Sequence, residues 1–530
     1  MELEFLTTGW GHQKSGIEHA IWQRIKLFIK FQLPFNLVTV EPDLVLHDTL
    51  QADQVPENHV INLFDFFGND CHTKARKLDA HAFQQQLPSN LTLQMAADGQ
   101  SGKVYAGERI VQYVSFDQQG RVHDSCNYDV QGNLVKRDYY DTRGWRALES
   151  LFDNSGNLLC ERYFNSQGRM FYQTFHQMNA PQNIGVNTLY QIWWQHRLYT
   201  FTTKVQMYTF FYDCLAQTLP EPFAYLVDRT NELGEPVLRM RMPVAKYMYL
   251  HSDHINSHNN TPYGSDELIG SLNPNYEYSL NNLEQWQGIL MATQLQSQIF
   301  TKRYHHLIPQ YVIPVGYIPP TVSEHRVPWS SRQAHLVVCV ARLSPEKQQE
   351  HLIRAFQNVV AQIPDAQLEF WGFDNGEKAK LMQLVQELHL QAAIQFKGYT
   401  KNIGQVYDHA GLAVLPSNNE GFALALMEGQ AHGVPSIAYD VFYGPHDIII
   451  DQRDGYLAVP NNINDLTNKI IQILSHPSLA QQMSQNAYLD AQRYSEAHVY
   501  ELWHDFLQHA QQDASQRAIP RQAVPDIFLG

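Results

Sequence analysis

Aromatic residues fall at Phe116, Tyr128, Tyr140, Phe152 and Phe164, each 12 positions after the last. Gly120, Gly132, Gly144, Gly156 and Gly168 keep the same step. Each unit reads aromatic, Asp or Asn, two variable residues, then Gly. A helical repeat needs roughly 33 residues or more per unit, so this period is too short for a helical solenoid. Polar turns with Gly at a fixed offset leave about six β-prone residues between them, the pattern of an antiparallel hairpin meander. Such a sheet contains no candidate catalytic cluster, and its expected task is contact with a partner or an acceptor.

The flanking sequence follows a different plan. Leu3–Leu6 reads as a strand, the glycine-bearing loop Thr7–Gly16 follows, a helix runs to about Phe31, and Leu37–Val40 reads as a second strand. That order opens a doubly wound α/β domain. Alternation is expected to resume near Val186, with buried strands at Phe223–Val227 and Tyr247–Leu250. A Pro-rich connector from Ile313 to Pro328 separates a second α/β domain, with strands at His335–Val340, Leu368–Trp371, Ile394–Phe396, Leu412–Leu415 and Ser436–Tyr439. The expected division is therefore 1–70 plus 181–325 for the first α/β domain and 71–180 for the inserted sheet. The second α/β domain takes 326–495, and a terminal helix (Glu496–Gln511) with a short tail takes 496–530.

Composition narrows the function classes. The formal charge is −15, from 38 basic and 53 acidic residues, which argues against broad binding to nucleic acid or anionic membrane. Cys71, Cys126, Cys160, Cys214 and Cys339 show no C-x-x-C spacing, so neither a metal framework nor a disulfide scaffold is expected. The N-terminus lacks a signal-peptide layout and no run approaches the roughly 20 apolar residues of a membrane span. A cytoplasmic protein is expected.

The chemistry-bearing stretch is Ser417–Pro435. The apolar run Gly411–Leu415 is a strand, a polar loop follows, and an apolar helix is expected from near Phe422 to Gly433. Glu420 then lies at a helix mouth, where free N–H groups and the dipole favour an anion, and Glu428 lies about two turns further in. In the second domain's first βα loop, Ser344-Pro345 reads as a helix start, with Lys347 in the first turn. A cation there, five residues after Arg342, makes sense if both meet an anion. Ile394–Thr400 ends another strand, where backbone groups near Gly398 could meet the edge of a nucleobase, with Phe396 or Tyr399 against its face. Ligands bind at the carboxyl ends of strands in such sheets, so these three loops should converge.

Arg342 with Lys347, Glu420-x7-Glu428 and the following Gly421-Phe422 resemble the retaining glycosyltransferases of family 4, over residues 335–510. That resemblance implies a GT-B fold, two Rossmann-like domains facing a cleft, here with the β-meander inserted in the first. It implies that Arg342 and Lys347 hold the diphosphate of a sugar nucleotide and that Glu420 contacts the donor sugar or its reacting face. Glu428 would bind the ribose, and the N–H groups of Gly421, Phe422, Ala423 and Leu424 would meet phosphate or sugar. The N-terminal segment Gly9-Trp10, Ser15-Gly16-Ile-Glu-His-Ala20 and Arg24 is similar to the subgroup that starts O-glycosylation of serine-rich-repeat surface adhesins together with a non-catalytic stabilising subunit. There Gly16, beside Ser15, matches a loop that approaches the donor phosphate, and His251 or His254 matches the active-site histidine; the sequence does not choose between them. The donor implied is UDP-N-acetylglucosamine or UDP-glucose and the acceptor Ser/Thr of the adhesin. Neither metal nor cofactor is expected, in keeping with the lack of Asp-x-Asp at a predicted strand end of the second domain. Peripheral membrane association would come only through the complex. The alternatives are a wall teichoic acid α-glycosyltransferase, disfavoured by the acidity of the chain, and a non-catalytic acceptor-binding paralogue, disfavoured by the presence of all four charged motif residues.

Overall fold

The computed structural model describes residues 1–11, 14–179, 184–255 and 270–517. The chain divides into two compact units, one of Met1–Glu18, Leu33–Lys246 and Ala514–Gly530, the other of His19–Gln32 and Tyr247–Asp513. The expected Pro-containing tail beyond residue 517 lies outside the described residues.

In the first unit, the strands Glu2–Thr7, Phe35–Thr39, Val60–Asn62 and Phe223–Val227 are parallel. Glu2–Thr7 sits between Phe223–Val227 and Phe35–Thr39, and Val60–Asn62 flanks the latter. Apart from Glu2, the central strands are buried along their whole length, as expected of parallel strands covered on both faces.

The same unit carries a ten-stranded antiparallel sheet in strict sequence order. The meander is longer than the repeat predicts. It runs from Leu91–Met95 to Arg197–Phe201, and α/β alternation resumes only with the helix Lys204–Thr218 rather than near Val186. The 12-residue step marks only the turns that need a left-handed Gly; hairpin pairing continues past them. In four of the five repeated turns the leading Asp or Asn accepts N–H bonds from the backbone two and four residues on, as Asp117 does from Gln119 (2.9 Å) and Arg121 (2.8 Å), while Asp141 accepts from the Arg143 backbone and guanidinium. The Gly closes the turn at φ between +72° and +105°.

Every second turn is rooted in the segment 44–70 of the same unit. Arg121 pairs with Asp48 as well as Asp117. Arg143 is buried and reaches Asp65 (2.6 Å), Asp141 (2.8 Å) and the Asp70 carbonyl (3.1 Å). Asn165 donates to the Gly68 carbonyl (3.0 Å), and Ser166 to Asp70 (2.6 Å). Gly144 is required at the middle root, because a Cβ there would lie 1.8 Å from the Arg76 carbonyl oxygen. The alternate turns, Asp129–Asn133 and Asp153–Asn157, are closed by their own Asp–Asn bonds of 3.0 and 2.9 Å.

The second unit contains parallel strands Tyr247–Leu250, Gly288–Met291 and Gln310–Val312. It also holds a six-stranded parallel sheet. From one edge its order is Ile394–Gly398, Gln367–Trp371, Gln333–Val340, Ala410–Leu415, Ser436–Tyr439 and Gly455–Ala458. The order reverses direction between Gln333–Val340 and Ala410–Leu415, and that switch point is where a ligand site is expected. Helices Gln349–Gln362 and Ile463–Leu474 cover one face through a core that includes Leu352, Phe356, Leu466 and Ile470. Among the described residues, no helix is long and apolar enough to cross a membrane, and no group of three or more His, Cys, Asp or Glu is arranged to hold a metal ion.

Candidate functional site

Lys347 donates to the Glu420 carboxylate at 2.6 Å, and the Ser417 hydroxyl donates to the same oxygen at 2.7 Å. Both ionic side chains are mostly covered, at 16% and 11% exposure. The pair joins the loops that leave the two strands of the switch point. A second tie is the N–H of Asn418, which donates to the Glu346 carbonyl at 3.0 Å.

The cation arrives by a different route from the one the sequence suggests. Pro345–Lys347 is a single 3-10 turn, Gln348 takes the left-handed conformation at φ +46°, and the α-helix starts only at Gln349. Lys347 therefore precedes the helix instead of lying in its first turn, and the Glu420 carboxylate offsets the unfavourable dipole there. Arg342, half exposed, pairs with Glu346 at 3.1 Å.

Glu420 also precedes its helix, which spans only Leu424–Ala431. Its backbone is clamped instead: the N–H donates to the Phe442 carbonyl at 3.1 Å, and the carbonyl accepts from Tyr443 at 2.6 Å and Gly444 at 3.2 Å. Ala423 is left-handed at φ +69° and turns the chain into the helix, leaving that helix's first N–H groups without partners inside it. Phe422 and Ala423 are buried, Phe422 edge-on to Tyr494 with centroids 5.5 Å apart, so only their backbone can serve a ligand. Gly421 is compelled by close approach, since a Cβ would lie 2.1 Å from the His251 carbonyl oxygen. Glycine there lets the Glu420 loop press against the end of the Ala245–Leu250 strand.

That contact brings His251 to the site. Its ring, partly exposed, stacks on Tyr249 at 4.4 Å, while the N–H groups of His251 and Ser252 donate to the Tyr276 hydroxyl at 3.1 and 3.0 Å. His254 is wholly buried against Phe300, and its Nδ1 meets the Tyr443 hydroxyl at 3.1 Å. Burial pushes its pKa down to about 3, which keeps it neutral and fits a packing role. Asp253 between them holds Asn419 of the Glu420 loop.

Glu428 is partly exposed on the Leu424–Ala431 helix, and the burial of its carboxyl raises its pKa to about 7. The opposing influence is Lys26, on the Gly16–Lys30 helix, whose own pKa burial lowers. The sequence alone offered no sign of Lys26, because chain separation hides the pairing.

The base-edge loop splits as a strand should. Phe396 turns inward and stacks on Phe370 at 5.1 Å, joining the core. Gly398 is left-handed at φ +79°, and Tyr399 turns outward, 58% exposed. Tyr399 stacks on Phe373, 45% exposed, with centroids 4.2 Å apart and planes within 9°. Phe373 was not flagged by the sequence, where Gly-Phe-Asp-Asn-Gly reads as an ordinary loop.

Ser15 and Gly16 lie in the first unit, at the start of the Gly16–Lys30 helix. The Ser15 N–H donates to Glu18 at 2.6 Å, and Arg229 donates to the Ser15 hydroxyl (3.0 Å) and to Glu18 (2.9 Å). Nothing lies within 4 Å of a Cβ built on Gly16. The loop ahead of it is held where Trp10 and Lys14 both donate to Asp53.

The doubly wound sheet thus gathers a cation–carboxylate pair at its switch point and an aromatic stack at its neighbouring strand ends, where such sheets bind ligands. Residues 324–490 match the model of the family described as glycosyl transferases group 1. The whole chain has the GT-B type of fold. It superposes on the pneumococcal O-GlcNAc transferase GtfA in complex with UDP and GlcNAc with a TM-score of 0.79, at 20% identity, over 96% of this chain and 99% of the other. A chain of a GtfA/B complex gives 0.81, at 22% identity, over 97% and 100%. In sequence, the chain is 28% identical over 337 residues to the UDP-N-acetylglucosamine–peptide N-acetylglucosaminyltransferase GtfA subunit of Streptococcus gordonii. That alignment takes in 61% of this chain and 64% of the relative, just under two thirds of its length.

Proposed function

We propose that this chain is a UDP-sugar-dependent retaining glycosyltransferase that places N-acetylglucosamine on Ser/Thr of a serine-rich polypeptide; its GtfA relatives are named UDP-N-acetylglucosamine–peptide N-acetylglucosaminyltransferases. The observation that carries the reading is the Lys347–Glu420–Ser417 arrangement beside the mouth of the Leu424–Ala431 helix. One ammonium bonded to one carboxylate at an anion-suited helix start suits a reaction in which a diphosphate leaves a sugar.

In this mechanism Lys347, Arg342 and the N–H groups of Gly421–Leu424 stabilise the charge that grows on the departing diphosphate, without a metal ion. Glu420 addresses the donor sugar at the reacting face, and His251 supports the sugar from the strand end that Gly421 touches. Glu428, ionised, accepts bonds from the ribose hydroxyls. The acceptor hydroxyl attacks from the leaving-group face and passes its proton to the diphosphate, so the configuration is retained. Gly16 keeps its expected contact with phosphate as part of the proposal. So does a GtfB-like stabilising subunit, because one similar chain belongs to a GtfA/B complex.

The test is incubation with UDP-N-acetylglucosamine and, separately, UDP-glucose, with a Ser-rich peptide and EDTA present. Mass spectrometry reads transfer and NMR reads the anomeric configuration. Transfer of α-linked N-acetylglucosamine is expected. A β-linked product refutes retention, a requirement for divalent metal refutes the metal-free step, and transfer from neither donor refutes the reading.

A further inference from the structure

The four residues after the strand Ala245–Leu250 belong to no helix or strand, so their backbone groups need partners from elsewhere. Buried side chains supply most of them. The His251 and Ser252 N–H groups share the Tyr276 hydroxyl and occupy its lone pairs, which leaves its proton for the Ser252 hydroxyl at 3.1 Å. Gln296, on the helix Gln294–Tyr304, donates to the Ser252 carbonyl at 2.9 Å. Asn273 caps the helix Pro274–Asn281. It donates its side chain to the Asp253 carbonyl at 2.7 Å and its backbone N–H to the His254 carbonyl at 3.0 Å. The segment 251–254 is thereby fixed to its own strand and to two helices, and it carries His251 as a rigid piece.

The Glu420 loop is fixed as firmly to a different frame. Lys347, Ser417, Phe442 and Tyr443 hold it from the six-stranded sheet and its loops. Two rigid pieces keep a set separation only where something joins them, and side-chain ties do so here. The Tyr443 hydroxyl meets His254, and Asp447 accepts from the N–H groups of Gln294 and Leu295 at the mouth of the helix that bears Gln296. Both ties lie three residues or more from His251. Asn419 makes a nearer one, to the carboxylate of the buried Asp253. A carboxylate only accepts, so Asn419 presents its NH2 group, and the bond is charge-assisted. It bridges the two frames one residue from Glu420 and two from His251.

Resting on the transferase reading, we infer that Asp253 and Asn419 are positioning residues whose bond sets the distance between His251 and Glu420. A donor sugar addressed by both side chains needs both in place at once. Lys347, Arg342 and the helix that bears Glu428 stand on the Glu420 side of the bond, so nucleotide binding does not depend on it. The bond acts on the chemical step and leaves donor affinity alone.

Exchanging the two ends of the bond tests this. Asn419→Asp sets two carboxylates against each other, and kcat for transfer from UDP-N-acetylglucosamine to the Ser-rich peptide should fall about hundred-fold, the scale of a 1 Å misplacement. UDP affinity by calorimetry should stay within about three-fold of the wild type, as expected when only a transition-state interaction is lost, and it shows that the variant is folded. Adding Asp253→Asn restores an amide facing a carboxylate with donor and acceptor exchanged. That double variant should return kcat to within about ten-fold of the wild type. In a His251→Ala background Asn419→Asp should lower the residual rate less than about five-fold, because no imidazole is left to misplace. The inference is overturned if Asn419→Asp keeps the wild-type kcat or weakens UDP as much as it lowers kcat. It is also overturned if the exchange fails to recover activity, or if the loss is as large without His251. A wild-type protein that binds UDP and transfers no sugar overturns the transferase reading instead.

Discussion

Replacing Lys347 with Met removes one positive charge from the switch point and separates chemistry from stability. Lys347 and Glu420 are 2.6 Å apart and mostly shielded from water, so the pair is more than a surface ion pair. Removing one member of a buried pair costs about 3–5 kcal/mol, chiefly because the other charge is left behind. Glu420 keeps the Ser417 hydroxyl at 2.7 Å, which puts the expected loss of stability at the lower end, about 3 kcal/mol. The catalytic loss has a different origin. Deleting one preorganised donor to developing negative charge typically costs 10²–10³ in kcat, about 3–4 kcal/mol of barrier. Steady-state transfer assays and thermal unfolding should be run on Lys347→Met, Glu420→Gln and the double variant. In the double variant no stranded carboxylate remains, so Tm should recover most of its loss while kcat stays at least 100-fold down. A kcat for Lys347→Met within ten-fold of the wild type, or recovery of kcat together with Tm in the double variant, refutes the role given to the ammonium.

Glu420→Gln alone should abolish transfer while UDP binding stays measurable by calorimetry; full activity in that variant removes Glu420 from the reaction. Glu428, raised to about 7 by burial, binds its proton more tightly folded than unfolded. Its contribution to stability is therefore fully present below the unfolded value near 4.5 and is lost as pH rises toward 7. Ribose binding needs the opposite form, so UDP affinity should fall as pH drops from 8 to 6 and Glu428→Gln should flatten that profile; an unchanged slope in the variant counts against the assignment. At the root of the meander, Arg143→Met strands Asp65 and Asp141 and should cost about 3–5 kcal/mol. Arg137→Met, at a more exposed pair with Asp124, should cost less than about 1 kcal/mol by the same urea titration. Equal losses would show that the turns rooted in the segment 44–70 are not what fastens the sheet.

Much of the scaffold was legible because parallel strands leave continuous apolar runs. Phe223–Val227 and Ser436–Tyr439 fall where the sequence put them, and the other expected α/β strands differ by a few residues at their ends, whereas the short strands Val60–Asn62, Gly288–Met291, Gln310–Val312 and Gly455–Ala458 were not expected. Local signals misled where tertiary ties override them. Ser344-Pro345 has the letters of a helix start, yet Gln348 breaks the turn so that Lys347 can reach Glu420. The expected helix at Phe422 begins at Leu424, because Glu420 is committed to backbone bonds with Phe442 and Tyr443. The end of the meander was misjudged for a similar reason. Glycine spacing reports turn geometry, and strands beyond Gly168 pair without it.

The choice between His251 and His254 shows what a one-dimensional reading lacks. Both follow the same strand three residues apart, with the same chemistry available. Burial separates them: His254 lies under Tyr443 and Phe300 and is held neutral, whereas His251 stays partly exposed on Tyr249. The glycine that brings the His251 backbone against the Glu420 loop is 170 positions away in the chain. Gly421 admits the His251 carbonyl to the Glu420 loop, and any side chain there would drive the two apart. Gly421→Ala should therefore damage the site without touching a charged residue. Its Cβ would overlap the carbonyl oxygen at 2.1 Å, forcing either the Glu420 loop or the 251–254 segment to move. A displacement of about 1 Å at a reacting centre is enough for a hundred-fold loss of rate. The same substitution at Gly156, where nothing lies within 4 Å, should leave transfer unchanged despite its strained φ of +79°. Equal activity of the two variants would mean that the contact between Gly421 and His251 is incidental to catalysis.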